Sequence, residues 1–337
     1  MKCLIYDDWN HLEIGELPAP EPGPGEVLVR VEACGLCGSE LEAFKFRSPR
    51  RVPPLVLGHE YCGIVESSGP GGGRWAAGDR VVGNALVPCG ECVRCRRNDG
   101  HLCARRQILG MNRPGAFAQW VSVPGHSLIP WPEGVPAREA CLAEPLANGV
   151  HAVGLTRHIA PKTVLVLGAG PLGLFAQQAF QALVGARVLV SDLLPERRAV
   201  AARLGAAVTF DARTDVVAAV RELTEGEGAD VVIDGAGSAL TKRLSLDCLR
   251  PGGAAVWLGL HQDEVTFSSY SVTLPEKQIL GTYSARLEEL ETALALIAAR
   301  QVDAGSWTHA FGLQDGVEAF HRMLNPTGAD IKAVLHP

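Results

Sequence analysis

The sequence predicts an α/β protein in which a doubly wound parallel sheet is joined to a β-rich domain. After about residue 160, continuous apolar strands alternate with Ala- and Leu-rich helices, the pattern of a parallel sheet that is covered on both faces. Short β-branched runs closed by Gly and Pro fill residues 1–140 and predict antiparallel strands. The 337 residues correspond to about two domains at roughly 150 residues each.

Composition and charge exclude several classes of protein. Apolar residues make up 47% and charged residues 20% of the chain, so disorder is excluded as the main state. The formal net charge of −6 offers no basic surface for nucleic acid. No apolar run reaches the roughly 18 residues of a membrane span, and the N-terminal residues show no signal-peptide pattern. We expect a cytoplasmic protein with no nucleic-acid or membrane partner, in which the 10 cysteines are metal ligands, catalytic groups or core residues.

The elements follow in order along the chain. In the first part, the predicted strands lie in VLVRVEACG (27–35), CGIVESSG (62–69), GDRVVG (78–83) and QWVSVP (119–124). In the second part, strands are predicted at 163–170, 187–192, 207–210, 229–237 and 254–260, with a helix to about Val184 and another over Glu196–Leu204. The segment LEELETALALIAAR predicts an amphipathic helix, and a short helix near Asp315–Leu324 and a final strand follow it. These patterns predict one domain from residues 1–148 and 286–337 and a second from 149–285.

A glycine-rich turn after the first strand of the second domain predicts dinucleotide binding. Gly168, Gly170 and Gly173 form G-x-G-x-x-G around Pro171 and Leu172, where amides of a helix N-terminus meet a pyrophosphate. In a chain with 38 glycines the triplet alone could be an ordinary turn. Asp192, about 20 residues further on, lies where a carboxylate accepts both ribose hydroxyls of NAD and repels a 2′-phosphate.

Two arginines after this aspartate give a contrary signal. Arg197 and Arg198 follow Asp192 within the next predicted helix, and an arginine there can accommodate the 2′-phosphate of NADP. Both could equally be solvated residues on a helix face. We predict NAD as the cofactor, with Gly168, Gly170, Asp192 and Arg197 among the residues that contact it.

Four cysteines within residues 88–104 predict a structural zinc site. Cys89, Cys92, Cys95 and Cys103 have the spacing C-x2-C-x2-C-x7-C, and four thiolates close a tetrahedron around zinc with no open position. An iron–sulfur cluster requires an earlier fourth cysteine followed by proline, which the chain lacks. A redox or disulfide role is the alternative. Because this lobe has almost no apolar residues, bound metal would supply its folding energy.

A second set of ligand types is spread over three segments. Cys37 lies in ACGLCGSE, His59 and Glu60 lie in GHEYCGIV, and Glu144 lies in AEPLANGVHA. A thiolate, an imidazole and a carboxylate suit a zinc ion whose fourth position is open to water or substrate. Taken singly, each could be a core or surface residue. Together with the cysteine lobe and the dinucleotide turn, they predict a catalytic zinc and therefore two zinc ions per chain.

Over essentially its whole length the chain resembles the zinc-containing medium-chain dehydrogenase/reductase family. The motifs that carry the resemblance are GLCGSE, GHEYCGIV, GDRVV, the four-cysteine lobe, EPL and VLGAGPLG. The pair CGSE and EPLANGVHA is similar to the polyol branch, which comprises sorbitol, threonine and galactitol-1-phosphate dehydrogenases. The resemblance implies a Rossmann domain beside a GroES-like catalytic domain, a homodimer or homotetramer, and hydride transfer from an alcohol to NAD.

The resemblance also implies roles for individual residues. It places zinc on Cys37 and His59 with either Glu60 or Glu144 as the third protein ligand, and it makes Ser39 the hydroxyl that relays the substrate proton. Glu144 is otherwise an exchangeable ligand or a residue that holds water. The chain departs from the family at Glu40, where Asp is usual, so the geometry around the ligands stays open there.

Three functions are compatible with these residues. The first is oxidation of a secondary alcohol of a polyol or sugar alcohol, which is phosphorylated if the basic segment FKFRSPRRVPP (44–54) binds phosphate through Lys45, Arg47, Arg50 and Arg51. That segment could instead be a solvated loop. The second is a threonine-type amino-alcohol or simple secondary-alcohol dehydrogenase, and the third is a non-catalytic nucleotide sensor with a zinc lobe. A sensor has no use for a proton relay, so the set that includes Ser39 favours an enzyme.

Overall fold

The computed structural model describes all 337 residues, which form two compact units. Unit 1 comprises Met1–Glu144, Arg286–Ala299 and Ala304–Pro337, and unit 2 comprises Pro145–Ala285 and Arg300–Asp303. The predicted fold class is confirmed, because unit 2 has a parallel sheet flanked by helices and unit 1 is mostly antiparallel. The predicted domain boundaries at residues 148 and 286 stay predictions.

The regular elements are numbered along the chain. The strands are β1 (Lys2–Asp8), β2 (His11–Glu16), β3 (Glu26–Gly35), β4 (Leu55–Val56), β5 (Glu60–Ser68), β6 (Arg80–Gly83), β7 (Leu86–Val87), β8 (Gln107–Ile108), β9 (Trp120–Pro124), β10 (Leu128–Pro130), β11 (Thr163–Leu167), β12 (Arg187–Asp192), β13 (Val208–Asp211), β14 (Ala229–Asp234), β15 (Leu249–Trp257), β16 (Gln278–Gly281), β17 (Thr308–Gly312) and β18 (Lys332–His336). The helices are α1 (Gly38–Phe46), α2 (Val93–Arg96), α3 (Ala137–Ala140), α4 (Ala143–Thr156), α5 (Pro171–Val184), α6 (Pro195–Arg203), α7 (Val216–Glu222), α8 (Ala239–Asp247), α9 (Tyr270–Thr273), α10 (Leu287–Ala298) and α11 (Gly316–Leu324). None of these helices is long and apolar enough to cross a membrane.

The main sheet of unit 1 brings the end of the chain beside its beginning. Its strand order is β10-β6-β5-β3-β18-β17, and β9 also pairs with β3. In the antiparallel pair of β3 and β5, Gly35 lies opposite Glu60, and Val334 of β18 lies opposite Gly35 on the other side. The segment that follows β3 and the segment that leads into β5 therefore lie next to each other, and β18 lies beside them.

Unit 2 has a six-stranded parallel sheet in the order β13-β12-β11-β14-β15-β16. Its central strands are buried on both faces, which explains their unbroken apolar runs; Val164, Leu165 and Val166 are fully buried. Strands β12 and β13 lie on one side of β11, and β14 to β16 lie on the other, so the strand order changes direction between β11 and β14. The turn after β11 therefore lies at the point where dinucleotides bind in such sheets.

Many predicted elements agree with the structure to within a residue or two, but β1, β2, α4 and α1 were not predicted. Residues 38–46 lie in a part of the chain where only strands were expected. The helix begins because Cys37 caps its N-terminus and the Glu40 side chain accepts a hydrogen bond from the Cys37 amide, which closes a capping box. A capping box that uses cysteine has no sequence signature, so composition alone does not reveal it.

We expect alanine at Gly173 to destabilise unit 2, whereas alanine at Gly170 is tolerated by the folded protein. A Cβ at Gly173 would overlap the carbonyl oxygen of Gly168, and the close packing of α5 against the sheet leaves it no room. A Cβ at Gly170 meets only the end of the Arg197 side chain, at an ordinary contact distance of 3.8 Å. Overpacking of this kind costs about 1–3 kcal/mol.

Urea unfolding of the two variants measures this difference. Equal stability of Gly173→Ala and Gly170→Ala would contradict the packing role assigned to Gly173.

Candidate functional site

Three candidate ligand residues meet at the start of α1 and the start of β5. Cys37 caps α1, Glu60 is the first residue of β5 and His59 precedes it. One ligand atom from each of these three residues lies within 4.8 Å of the others. The strand pairing requires Gly35 here, because a Cβ at that position would overlap the Glu60 carboxylate. The predicted grouping of these three residues is thus seen in the structure.

The buried carboxylate of Glu40 holds this group together. Its Oε1 accepts hydrogen bonds from the Gly58 amide at 2.8 Å and from His59 Nδ1 at 2.9 Å, and its Oε2 accepts from the Cys37 amide at 3.0 Å. Burial disfavours the charged form, but His59 and Arg51 outweigh that effect and lower the pKa of Glu40. The sequence left open how Glu40 is arranged around the ligands. In the structure both of its carboxylate oxygens accept hydrogen bonds from this group.

The contact between Glu40 and His59 also decides which ring nitrogen of His59 can bind a metal. With Nδ1–H donating to the carboxylate, Nε2 carries the lone pair. Zinc-bound histidines usually donate their other nitrogen to a carboxylate in this manner. The donor set of Cys37, His59 and a carboxylate therefore fits zinc.

Ser39 contacts both the candidate ligand Cys37 and a buried arginine. Its Oγ lies 3.3 Å from Cys37 Sγ, and Arg51 Nη2 donates to the same Oγ at 3.1 Å. Arg51 is only 5% exposed and also donates to the carbonyl oxygens of Ser39 and Gly110. The expectation that Arg51 binds a substrate phosphate is wrong, because its guanidinium is already hydrogen-bonded inside unit 1. In the same segment, Arg47 Nε donates to Asn10.

A lysine that the sequence analysis did not single out neutralises Glu60. Lys332 of β18 is 2% exposed, its Nζ lies 2.5 Å from Glu60 Oε2 and 2.7 Å from Oε1, and it donates to the Leu36 carbonyl at 2.9 Å. Burial opposes its charge, but Glu60 outweighs that effect and raises the pKa of Lys332. The one sequence signal was a lysine in the otherwise apolar final strand.

Glu144 lies in the first turn of α4, buried near the same group but outside the three-residue set. Burial, with a contribution from Glu60, raises the pKa of Glu144 to about 7, while His59 and Lys332 act in the opposite direction. Such a carboxyl group changes its protonation near neutral pH. The geometry favours Glu60 over Glu144 as the carboxylate nearest Cys37 and His59.

The four cysteines of the lobe have the spacing of a tetrahedral zinc site. Their Sγ atoms are separated by 3.5 to 3.8 Å in the four contacts that link Cys89, Cys92, Cys95 and Cys103. Zinc–sulfur bonds of about 2.3 Å in a tetrahedron require sulfur–sulfur edges of about 3.8 Å, whereas a disulfide requires about 2.05 Å. Backbone amides of Glu91 and Cys92 help to lower the pKa of Cys89 to about 6, which favours the thiolate. The lobe thus fits a closed zinc site.

The glycine-rich turn in unit 2 has the expected geometry for a pyrophosphate. Gly168 has φ +96°, and Gly170 is the N-cap of α5, which begins at Pro171. Leu172 follows in the first turn of that helix. The amides at the start of α5 have no intrahelical acceptors, so they are free to face an anion.

Asp192 connects this turn to the end of β12. Its Oδ2 accepts a hydrogen bond from the Ala169 amide at 2.7 Å, and its Oδ1 accepts one from the Leu194 amide at 2.8 Å. The carboxylate therefore lies at the glycine turn and still has lone pairs for ribose hydroxyls.

The two arginines of α6 differ in their surroundings. Arg198 Nη1 donates to the carbonyl oxygens of Asp192 and Leu193, and its Nη2 pairs with Asp211 at 3.3 Å. Arg198 is thus held by the protein itself. Arg197 has its Nη1 atom close to Gly170, 3.8 Å from where a Cβ on that residue would lie.

Comparison with known proteins shows the family. Residues 23–133 match the family model described as alcohol dehydrogenase GroES-like domain, and residues 171–299 match that described as zinc-binding dehydrogenase. An L-threonine 3-dehydrogenase of Chelativorans sp. is 33% identical over 329 residues, which cover 96% of this chain and 95% of that protein. A sorbitol dehydrogenase of Halalkalibacterium halodurans is 32% identical over 345 residues, which cover 100% and 99% of the two chains.

Solved structures agree with this result. Galactitol-1-phosphate dehydrogenase from Escherichia coli superposes with a TM-score of 0.92 at 27% identity, covering 100% of both chains. A zinc-binding dehydrogenase from Sinorhizobium meliloti, solved with NADP, has a TM-score of 0.92 at 30% identity, covering 100% of this chain and 99% of that one. The chain therefore belongs to the zinc-containing medium-chain dehydrogenase family, which confirms the resemblance. Within this family of oxidoreductases it falls in the polyol branch.

We expect Lys332→Met to destabilise unit 1 strongly, because it leaves the buried Glu60 carboxylate without its counter-charge. Removal of one partner of a buried ion pair costs about 3–5 kcal/mol. The matched variant Lys332→Met with Glu60→Gln removes both charges and should regain a large part of that loss. Urea unfolding of the metal-free protein measures both values, and equal losses in the single and double variants would contradict this charge pairing.

Proposed function

We propose that this protein is a zinc- and NAD-dependent dehydrogenase that oxidises a secondary hydroxyl of a polyol or sugar alcohol. The observation that carries the proposal is the convergence of Cys37, His59 and Glu60 with the Ser39 hydroxyl 3.3 Å from Cys37 Sγ. The glycine turn with Asp192 supports the nicotinamide cofactor, and the polyol-branch relatives support the substrate class.

The residues around the site divide the work of the reaction. Zinc supplies a Lewis acid that lowers the pKa of an alcohol, and NAD accepts the hydride. Cys37, His59 and Glu60 are the proposed ligands, and Glu40 orients the His59 ring. Ser39 Oγ is the proposed proton acceptor for the substrate hydroxyl. Glu144, buried near these ligands, is proposed as an exchangeable ligand or as the residue that holds water beside the zinc.

Oxidation of L-threonine is a second candidate activity. It is favoured by the L-threonine 3-dehydrogenases of Chelativorans sp. and Mesorhizobium japonicum, which are 33% and 32% identical to the chain. Both candidates use a secondary alcohol and the same zinc ligands, so the site cannot separate them by chemistry alone. The discrimination lies in groups that hold the remainder of the substrate.

A substrate panel tests the proposal. The zinc-loaded protein is assayed by NADH or NADPH formation with sorbitol, galactitol, their phosphates, 2,3-butanediol and L-threonine. We expect the highest kcat/KM for a polyol with NAD. A preference for L-threonine supports the second candidate, and no turnover of any alcohol contradicts both. Comparison of each polyol with its phosphate tests the exposed part of the basic segment, including Lys45 and Arg50.

We also propose a cytoplasmic homodimer or homotetramer. None of the ten cysteines is in a disulfide, which suits a reducing compartment. On unit 2, Leu260, Tyr270 and Leu274 are 60%, 72% and 78% exposed, and β16 is an edge strand of the sheet. Exposed apolar side chains of this kind mark interaction surfaces. Sedimentation equilibrium measures the oligomeric state.

We expect graded chelation to remove the two zinc ions in order. The site at Cys37 has an open position, so its zinc should be lost first and activity with it, while the closed lobe keeps its metal. Cys37→Ser should abolish turnover with the fold retained, whereas Cys95→Ser should lower stability or assembly. Metal analysis, activity and thermal melting are followed together. Full activity with a single zinc would contradict the two-site proposal.

We expect Asp192→Asn to lower the NAD over NADP preference at least tenfold. The substitution removes a charge that accepts ribose hydrogen bonds and repels a 2′-phosphate, and about 1.4 kcal/mol corresponds to that ratio. Asparagine keeps one acceptor for the turn amides, so the fold is better preserved than with alanine. The ratio of kcat/KM for the two cofactors is the measurement. An unchanged ratio would indicate that Arg197 selects the cofactor instead.

A further inference from the structure

Arg51 is a buried cation whose hydrogen-bond partners are all neutral oxygen atoms. Its guanidinium donates to three oxygen atoms, namely the Gly110 carbonyl at 3.0 Å and the carbonyl and hydroxyl of Ser39, each at 3.1 Å. None of these three hydrogen bonds goes to a carboxylate, although the charge of Arg51 helps to lower the pKa of the nearby Glu40. Burying a charge is costly, and Glu40 offsets that cost without accepting a hydrogen bond from Arg51. The position of Arg51 on the Ser39 hydroxyl therefore calls for an explanation beyond packing.

We propose that Arg51 is a positioning residue that orients the Ser39 hydroxyl for proton transfer. This inference rests on the proposed function, in which Ser39 Oγ receives the substrate proton. By contrast, the neighbouring Arg47 and Arg50 are exposed, and Arg47 donates a hydrogen bond to Asn10.

The hydrogen bonds of Ser39 leave one acceptor site open. A hydroxyl has one proton and two lone pairs. Arg51 Nη2 occupies one lone pair at 3.1 Å, and the Ser39 proton points to Cys37 Sγ at 3.3 Å. The remaining lone pair is the single position at which the hydroxyl can take a further proton. Without Arg51 the hydroxyl would be free to rotate between two acceptor orientations.

The positive charge of Arg51 also supports proton transfer through the Ser39 hydroxyl. Arginine stays protonated at all relevant pH values, so it cannot compete with Ser39 for the proton. During alcohol oxidation the substrate hydroxyl proton would move to the open lone pair of Ser39 Oγ, while the serine's own proton turns away from Cys37 Sγ and passes to water, so that Ser39 is neutral before and after the transfer. The cation stabilises the negative charge that develops on Oγ as the serine proton departs.

Arg51 also joins the two segments that carry the ligands. Ser39 lies in the first turn of α1, two residues after Cys37, and Gly110 packs against Gly58 just before His59. A merely structural role for Arg51 would therefore be expected to alter metal binding and stability together. The test must separate that role from an effect transmitted through the serine hydroxyl.

The decisive experiment is a double-mutant cycle of Arg51→Met and Ser39→Ala. Methionine keeps most of the apolar stem without the charge. We expect Arg51→Met to lower kcat about ten- to hundredfold, the usual effect of losing a charge-assisted hydrogen bond, with a much smaller change in KM. In the Ser39→Ala background the same change should have no further effect on kcat. Independent, additive losses would overturn the proposal.

Two further variants keep the result interpretable. Arg51→Lys retains the charge and should recover part of kcat, and it replaces methionine in the cycle if Arg51→Met does not fold. Arg80→Met is the matched control, because Arg80 is also partly buried in unit 1, donates to the Val135 carbonyl and stacks 3.8 Å from the Trp131 ring. It should leave kcat unchanged, and an equal loss there would overturn the specific role of Arg51.

A spectroscopic measurement tests the coupling without turnover. With Co²⁺ in place of zinc, the thiolate-to-metal absorption band reports the hydrogen bond from Ser39 to Cys37. We expect the same shift of this band in Arg51→Met and Ser39→Ala and none in Arg80→Met. An unshifted band in Arg51→Met would overturn the proposal. A shifted band in a protein that oxidises no alcohol would instead overturn the proposed function and leave the coupling intact.

Discussion

The arrangement of the candidate zinc site depends on one buried carboxylate. Glu40 binds the amide of Cys37, the amide of Gly58 and the ring of His59, and these groups come from two separate segments. Each of these donors would be costly to bury without an acceptor, and the carboxylate would be costly to bury without them. The ligand geometry is thus a consequence of hydrogen-bond satisfaction that exists before any metal binds.

Around this carboxylate, charges alternate in a compact part of unit 1. Arg51 lies on the side of Ser39, and Lys332 pairs with Glu60 at the other side of the group. Two cations thereby offset the charges of the buried acids Glu40 and Glu60. The opposite charges offset one another, which lowers the cost of burying them. Hydrogen bonds fix the orientation of each charged group. Preorganised charges of this kind stabilise reacting groups without reorganisation during the reaction.

The parts of the fold that follow from local patterns could be predicted from the sequence. The parallel strands of unit 2 and the glycine turn are set by apolar runs and by glycine spacing, and the cysteine lobe by ligand spacing. Lys332 and Arg51 could not be assigned, because their partners are distant in sequence and no periodicity links them. Arg51 illustrates this limit of sequence analysis. The sequence places it in a basic segment, whereas in the structure it is a buried hydrogen-bond donor. The helix α1 was missed because its cap is a cysteine.

The position of Lys332 in the final strand has a consequence for biosynthesis. Unit 2 is nearly continuous in sequence, so its strands β11 to β16 are all synthesised before β18. Unit 1 is completed only when β18 pairs with β3. Lys332 of β18 then donates to the carbonyl of Leu36, which lies 296 residues earlier in the chain. Until then Glu60 lies in a nascent sheet with no counter-ion. The charge that neutralises Glu60 is therefore supplied only when β18 has been added, and a chain that stopped before β18 would leave this carboxylate unpaired.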